Sequence, residues 1–153
     1  MDALQLLIAD HNRVRGLFKR FEAAEGENDA QAAKLAAMIF EELQVHTKIE
    51  EEVFYPAVMK LRSAWAKEAV REALEEHQAV DSIVAELDQM EPEDGQYDAK
   101  VHGLRASVQH HLGEEERAMF VEARNHLTDD RLQALGRRMV SLLEKMPAEV
   151  SFT

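Results

Sequence analysis

The chain has 153 residues, 46% of them hydrophobic and 31% charged, with a formal net charge of −12 and no cysteine. Its size and balance fit one soluble globular domain with a real hydrophobic core. They exclude disulfides, thiolate metal sites and iron–sulfur clusters, and the acidity argues against nucleic-acid or anionic-membrane binding. No apolar run approaches the roughly 18 residues of a bilayer span. The start at Met1-Asp-Ala-Leu-Gln5 lacks the basic stretch of a signal peptide. The expectation is therefore a cytoplasmic protein that binds neither membrane nor nucleic acid.

With six glycines and three prolines among many Ala, Leu, Glu and Gln residues, the composition favours helix throughout. From Asp2 to about Ala24, Leu4, Leu7, Val14, Phe18 and Phe21 recur at helical spacing, with His11 on the same stripe. Residues 25–29 break the pattern and offer Asn28 or Asp29 as a cap. A second helix runs from about Ala30 to Leu61, with an irregular turn expected at Pro56. Ser63 caps a third, about 64–90, whose buried face reads Val70, Ala73, His77, Val80, Val84 and Leu87. The fourth covers about Tyr97 to His126, and Thr128 caps a shorter fifth, about 130–145, ended by Pro147. The expected fold is all-α: an antiparallel up-down four-helix bundle over about 2–126, with a short additional C-terminal helix.

On the second helix His46 and Glu50 stand one turn apart inside the apolar stripe of Ile39, Leu43, Val53 and Ala57. An unpaired carboxylate is costly to bury there, and a cation removes the difficulty. On the fourth helix two registers compete. The one through His111 and Glu115 continues Val101, Leu104 and Val108, whereas the one through His110 and Glu114 is mostly polar. His111 and Glu115 therefore point inward and His110 outward.

Chain length sets the height of each group. His11 lies about 17 residues before the first turn and His46–Glu50 about 18–22 after it; His77 and His111–Glu115 stand at similar distances from the turn near Asp94. All six converge in the middle of the bundle. A lone histidine on an apolar face is usually a hydrogen-bonded core residue, and a lone His-x-x-x-Glu pair is common on solvated faces. Four histidines and two carboxylates at one depth would lack donors unless metallated. They are too many for one tetrahedral zinc and too nitrogen-rich for calcium or magnesium. They suit two first-row metals bridged by carboxylates, iron first, then manganese or an iron–manganese pair.

Several segments carry a family resemblance: Asp10-His11, His46-x-x-x-Glu50-Glu with Phe-Tyr-Pro, Glu76-His77-Gln, and His111-x-x-x-Glu115-Glu with Met-Phe. Together the chain resembles the hemerythrin-like family, or HHE cation-binding domain, over roughly residues 2–126, so that 1–153 reads as one such domain. The resemblance implies a non-haem di-iron centre in which Glu50 and Glu115 bridge the irons beside an oxo or hydroxo group. His11 and His46 would bind one iron, and His77 and His111 the other. Dioxygen or hydrogen peroxide would be the small-molecule partner. The chain departs from oxygen-carrying hemerythrins, which use five histidines, two of them four apart on the third helix. Here Ala73 precedes His77 and Asp81 follows it. Either the second iron keeps an open position or Asp81, about 40° round the helix from His77, fills it.

Three functions follow as expectations: oxygen binding or sensing, peroxide decomposition by a catalase- or peroxidase-like enzyme, and iron storage or buffering. The missing ligand inclines the centre towards peroxide. Tyr55 and Phe120, each five residues after a glutamate, read as wall packing, with a redox role for Tyr55 as the alternative. Glu51, Glu52, Glu114 and Glu116 read as solvated, with one of them available to orient a histidine. His102 and His126 read as surface residues.

Overall fold

The computed structural model describes residues 1–146, and every regular element within them is helical. α1 (Ala3–Ala24) opens on a capping box: Asp2 accepts from the Gln5 N–H, and the Gln5 side chain accepts from the Asp2 N–H, both at 2.9 Å. Gly26, at φ +78°, supplies the left-handed turn that reverses the chain. Asn28 caps α2 (Asp29–Ile49), which continues unbroken through a π-helical turn (Glu50–Phe54) into Tyr55–Met59. Ser63 caps α3 (Ala64–Gln89) by accepting from the Ala66 N–H at 2.9 Å. α4 (Tyr97–Glu114) likewise continues through a π-helical turn (Glu115–Met119) into Phe120–His126. Thr128 caps α5 (Asp129–Glu144). The expected stop at Pro147 lies outside the described residues.

The irregularity expected at Pro56 is present as the turn just before it. Proline is not its general cause, because the matching turn in α4 contains none. Both turns start on an inward-facing glutamate. The Tyr55 N–H bonds the Glu50 carbonyl, and the Phe120 N–H bonds the Glu115 carbonyl. In an unbroken α-helix the fifth residue on sits about 140° round from the first. The wider turn brings it back over the carboxylate, and such turns gather at functional positions.

α1 packs along α2 and α3 along α4, giving the expected helical bundle, with α5 laid against α1. The core forms two apolar layers. One, at the α5 end, joins Leu4, Leu7, Phe54 and Val58 to Leu132, Leu135 and Met139. The other joins Val14, Phe18, Leu35 and Ile39 to Val84 and Leu104. Each such side chain contributes about 1.5–3 kcal/mol by leaving water, which offsets the polar layer held between them. α5 approaches the chain start so closely that a Cβ on Gly136 would fall 2.7 Å from the Met1 carbonyl oxygen and 3.2 Å from the Ala3 nitrogen. Among the described residues no helix is long and apolar enough to cross a membrane.

Candidate metal centre

His11, His46, Glu50, His77, His111 and Glu115 are brought together between the two apolar layers, none more than 5% exposed. Glu50 Oε1 lies 3.2 Å from His46 Nε2 and 3.1 Å from His77 Nε2. Glu115 Oε1 lies 3.4 Å from His11 Nε2 and 3.3 Å from His111 Nε2. Each carboxylate thus touches one histidine from the α1–α2 half and one from the α3–α4 half, the placement a bridging ligand needs. Two sets of converging donors result, His11, His46, Glu50 and Glu115 in one and Glu50, His77 and His111 in the other, with the donors of each set within 4.8 Å of one another. Glu50 belongs to both.

The outer nitrogens carry a second pattern. His46 Nδ1 faces Asp10 at 3.4 Å, His77 Nδ1 faces Glu51 at 2.8 Å, His111 Nδ1 faces Glu76 at 2.7 Å and His11 Nδ1 faces Glu116 at 2.6 Å. In sequence each of these acids adjoins an inner residue of its own helix, and each reaches to the next helix round. The ring runs from α1 to α2, α3, α4 and back to α1. An ionised carboxylate only accepts hydrogen bonds, so each Nδ1 carries the proton and each Nε2 lone pair points inward.

Six lone-pair donors then face one another. His77 and His111 bring their Nε2 atoms to 3.1 Å, and His11 Nε2, His46 Nε2, Glu50 Oε2 and Glu115 Oε1 are buried without a hydrogen-bond partner. Buried polar atoms normally find partners, and this donor set fits bound metal. Without cations the cluster takes up protons. Burial works against a charged His111, but Glu115 and Glu50 outweigh it and raise its pKa to about 10. His46 and His77 are also raised against burial, chiefly by Glu50. Burial pushes Glu50 up, and His46 outweighs it and holds Glu50 ionised. Burial, with the Glu50 charge beside it, leaves Glu115 raised. Cation binding must displace such protons.

Tyr55 does more than pack the wall of the site. Its hydroxyl lies within the cluster, 2.7 Å from Glu115 Oε2 and 3.2 Å from both Glu50 Oε1 and His77 Nε2. Burial and the two carboxylates raise its pKa well above that of a free phenol. Phe120, its counterpart, stacks on His11 at 5.4 Å, as Tyr55 packs on His77 at 5.4 Å. The two halves therefore differ by one hydroxyl. Asp81 is exposed, belongs to neither donor set, and lines a surface cleft between α2 and α3. The His110 side chain is 66% exposed, as its register implied. His102 and His126 are exposed too, paired with Glu25 and Glu122.

Fold and cluster together define a helical bundle with a buried histidine–carboxylate site suited to cations. The chain belongs to the hemerythrin family: the family model described as Hemerythrin HHE cation binding domain matches residues 2–123. An uncharacterized protein of Mycobacterium tuberculosis is 27% identical over 154 aligned positions, covering 100% of this chain and 92% of the relative. A DNA nickase of Nostoc is 26% identical over 134 residues, 87% of this chain, which spans only 36% of that protein. The crystal structure of a hemerythrin HHE cation binding domain-containing protein from Mycobacterium kansasii superposes with a TM-score of 0.80 at 24% identity, covering 95% of this chain and 86% of that one. At that identity the likeness speaks for the fold.

Proposed function

We propose that the protein is a non-haem di-iron protein whose carboxylate-bridged centre binds dioxygen or hydrogen peroxide. His11 and His46 would hold one metal and His77 and His111 the other, with Glu50 and Glu115 shared. The observation that carries this reading is the pair of donor sets joined through Glu50. Four imidazoles and two carboxylates favour iron, with manganese or a mixed pair as the alternative loading. When bound, such a pair supplies a redox-active Lewis acid for a small oxygen species.

The chain's own residues do the rest. The acid ring of Asp10, Glu51, Glu76 and Glu116 fixes each imidazole and raises its basicity. Phe54 and Phe120, with ring centroids 5.5 Å apart, exclude water from the α5 side. Tyr55 presents the hydroxyl that lies within reach of His77, on the half where the fifth histidine of an oxygen carrier is missing. That proton-bearing group favours peroxide turnover over reversible oxygen carriage.

The test mixes the ferrous protein with oxygen and the ferric protein with peroxide. Steady oxygen evolution from peroxide supports turnover, and a reversible oxygen spectrum supports carriage or sensing. Iron held without either response would leave storage.

A further inference from the structure

A buried centre needs a way in, and the bundle has a cleft that ends on it. Between α3 and α4 lies a cavity of about 310 Å³, opened by the small side chains of Ala69, Ala73 and Ala118. Its inner wall includes Glu115, which is 3% exposed and has Oε1 without a hydrogen-bond partner. Its sides carry Glu68, Glu72, Glu76 and Glu114, and Trp65 and His110 stand at its rim. Arg71 is taken up by Glu68 and Glu75, and Arg117 by Glu114. Among the described residues no lysine or arginine pairs with Glu72 or Glu76. Glu76 spans the cleft and the centre: one oxygen holds His111 Nδ1 at 2.7 Å and the other lies 3.6 Å from His110.

We infer that this α3–α4 cleft is the passage by which a divalent cation reaches the centre, drawn in by Glu72 and Glu76, with Glu68 beside them sharing its charge with Arg71, and received by Glu115. The inference rests on the metal-centre reading above. A cleft lined by one sign of charge concentrates the opposite ion and speeds its arrival. The cleft between α2 and α3 is the natural control. It is also acidic, with Glu51, Glu52, Asp81 and Asp88, and Glu51 reaches the centre through His77 Nδ1, but the cleft includes Lys48 and none of the six inner residues lines it.

The single tryptophan of the chain gives the readout, because Trp65 lines the cleft. Cobalt(II) is mixed with the full-length metal-free protein, following Trp65 emission for passage and ligand-field absorption for arrival at the histidines. Quenching should precede absorption, and both rates should fall as salt rises. The Glu68→Gln/Glu72→Gln double variant should slow uptake about tenfold or more, with the final cobalt content unchanged. Ala118→Leu should slow it by bulk alone. All three positions are exposed, so folding is not at stake. Glu52→Gln/Asp88→Asn should load at the wild-type rate.

Wild-type uptake rates in the α3–α4 variants, or slowing by the α2–α3 pair, overturn the passage. So does an Ala118→Leu protein that reacts slowly with peroxide but loads cobalt normally. If the wild-type protein takes up no cobalt at all, the metal-centre reading fails and the passage with it.

Discussion

The Tyr55 hydroxyl donates to Glu115 Oε2 at 2.7 Å, joining the π turn of α2 to the π turn of α4 across the middle of the bundle. Both partners owe their position to those turns: Glu115 starts one, and Tyr55 closes the other through its own N–H. Tyr55→Phe should therefore keep the fold and the metals while removing one proton-bearing group from the site. Peroxide turnover should drop at least ~100-fold, the usual worth of a positioned proton donor, with iron content unchanged. Equal turnover in the Phe variant would reduce Tyr55 to a packing residue.

The acid ring predicts losses of metal from residues that do not face it. Glu76→Ala leaves every inner donor in place but frees the His111 ring that Glu76 holds at 2.7 Å. Metal affinity should fall about 10–100-fold, measured by competition with a chelator. His110→Ala, one residue away but outward-facing, should bind as the wild type does; loss of iron there alone would mean that the wrong register of α4 had been assigned to the site.

Gly136 is where α5 meets the chain start. An added Cβ falls against the Met1 carbonyl oxygen and the Ala3 and Asp2 backbone, none of which can swing away as a long side chain could. Gly136→Ala should destabilise the protein by about 1–3 kcal/mol despite its better helix propensity. A melting temperature at or above the wild-type value contradicts the close packing of α5 on α1.

Glu42 makes stability depend on pH. Half-buried, it is pushed up to about 7 by desolvation, opposed by Arg13 and reinforced by Asp10. Between the ordinary glutamate value and about 7 the folded state holds a proton that the unfolded state has released. Stability from this group is thus full below the unfolded value and is lost as pH rises through the folded one. Glu42→Gln should flatten that decline and stabilise the protein at pH 8 by ~1–2 kcal/mol. Denaturant titrations at pH 5 and pH 8 check it. An equal effect of the substitution at both pH values counts against the shift.

Much of this was legible in the chain. Caps at Asn28, Ser63 and Thr128 fell where short polar side chains precede apolar periodicity, and the observed helices start there. The six inner residues were recoverable because a polar group on a 3.6-residue apolar stripe has nowhere to go but the core. Periodicity also separated His111 from its neighbour. The π turns were not legible, because one extra residue per turn leaves composition unchanged and only Pro56 hinted at the first. Tyr55 was therefore read as a wall side chain, since on a regular helix it would lie off the Glu50 face. The repeat of an aromatic residue five positions after each glutamate was the available signal. The acid ring was half visible. One of Glu51, Glu52, Glu114 and Glu116 was expected to orient a histidine, and two of them, Glu51 and Glu116, do so; the partners lie on other helices, and no spacing within one helix reports that. The angle of Asp81 to His77 on α3 makes it a candidate ligand in the sequence, and the structure leaves it exposed.

Metal content is the most direct test. Protein purified after growth with iron should hold about two irons per chain, as a carboxylate-bridged pair requires, with oxo-bridge charge-transfer absorption. His46→Ala and Glu115→Ala should lose them. A folded wild-type protein that holds a single zinc, or no metal under any loading condition, would contradict the central claim.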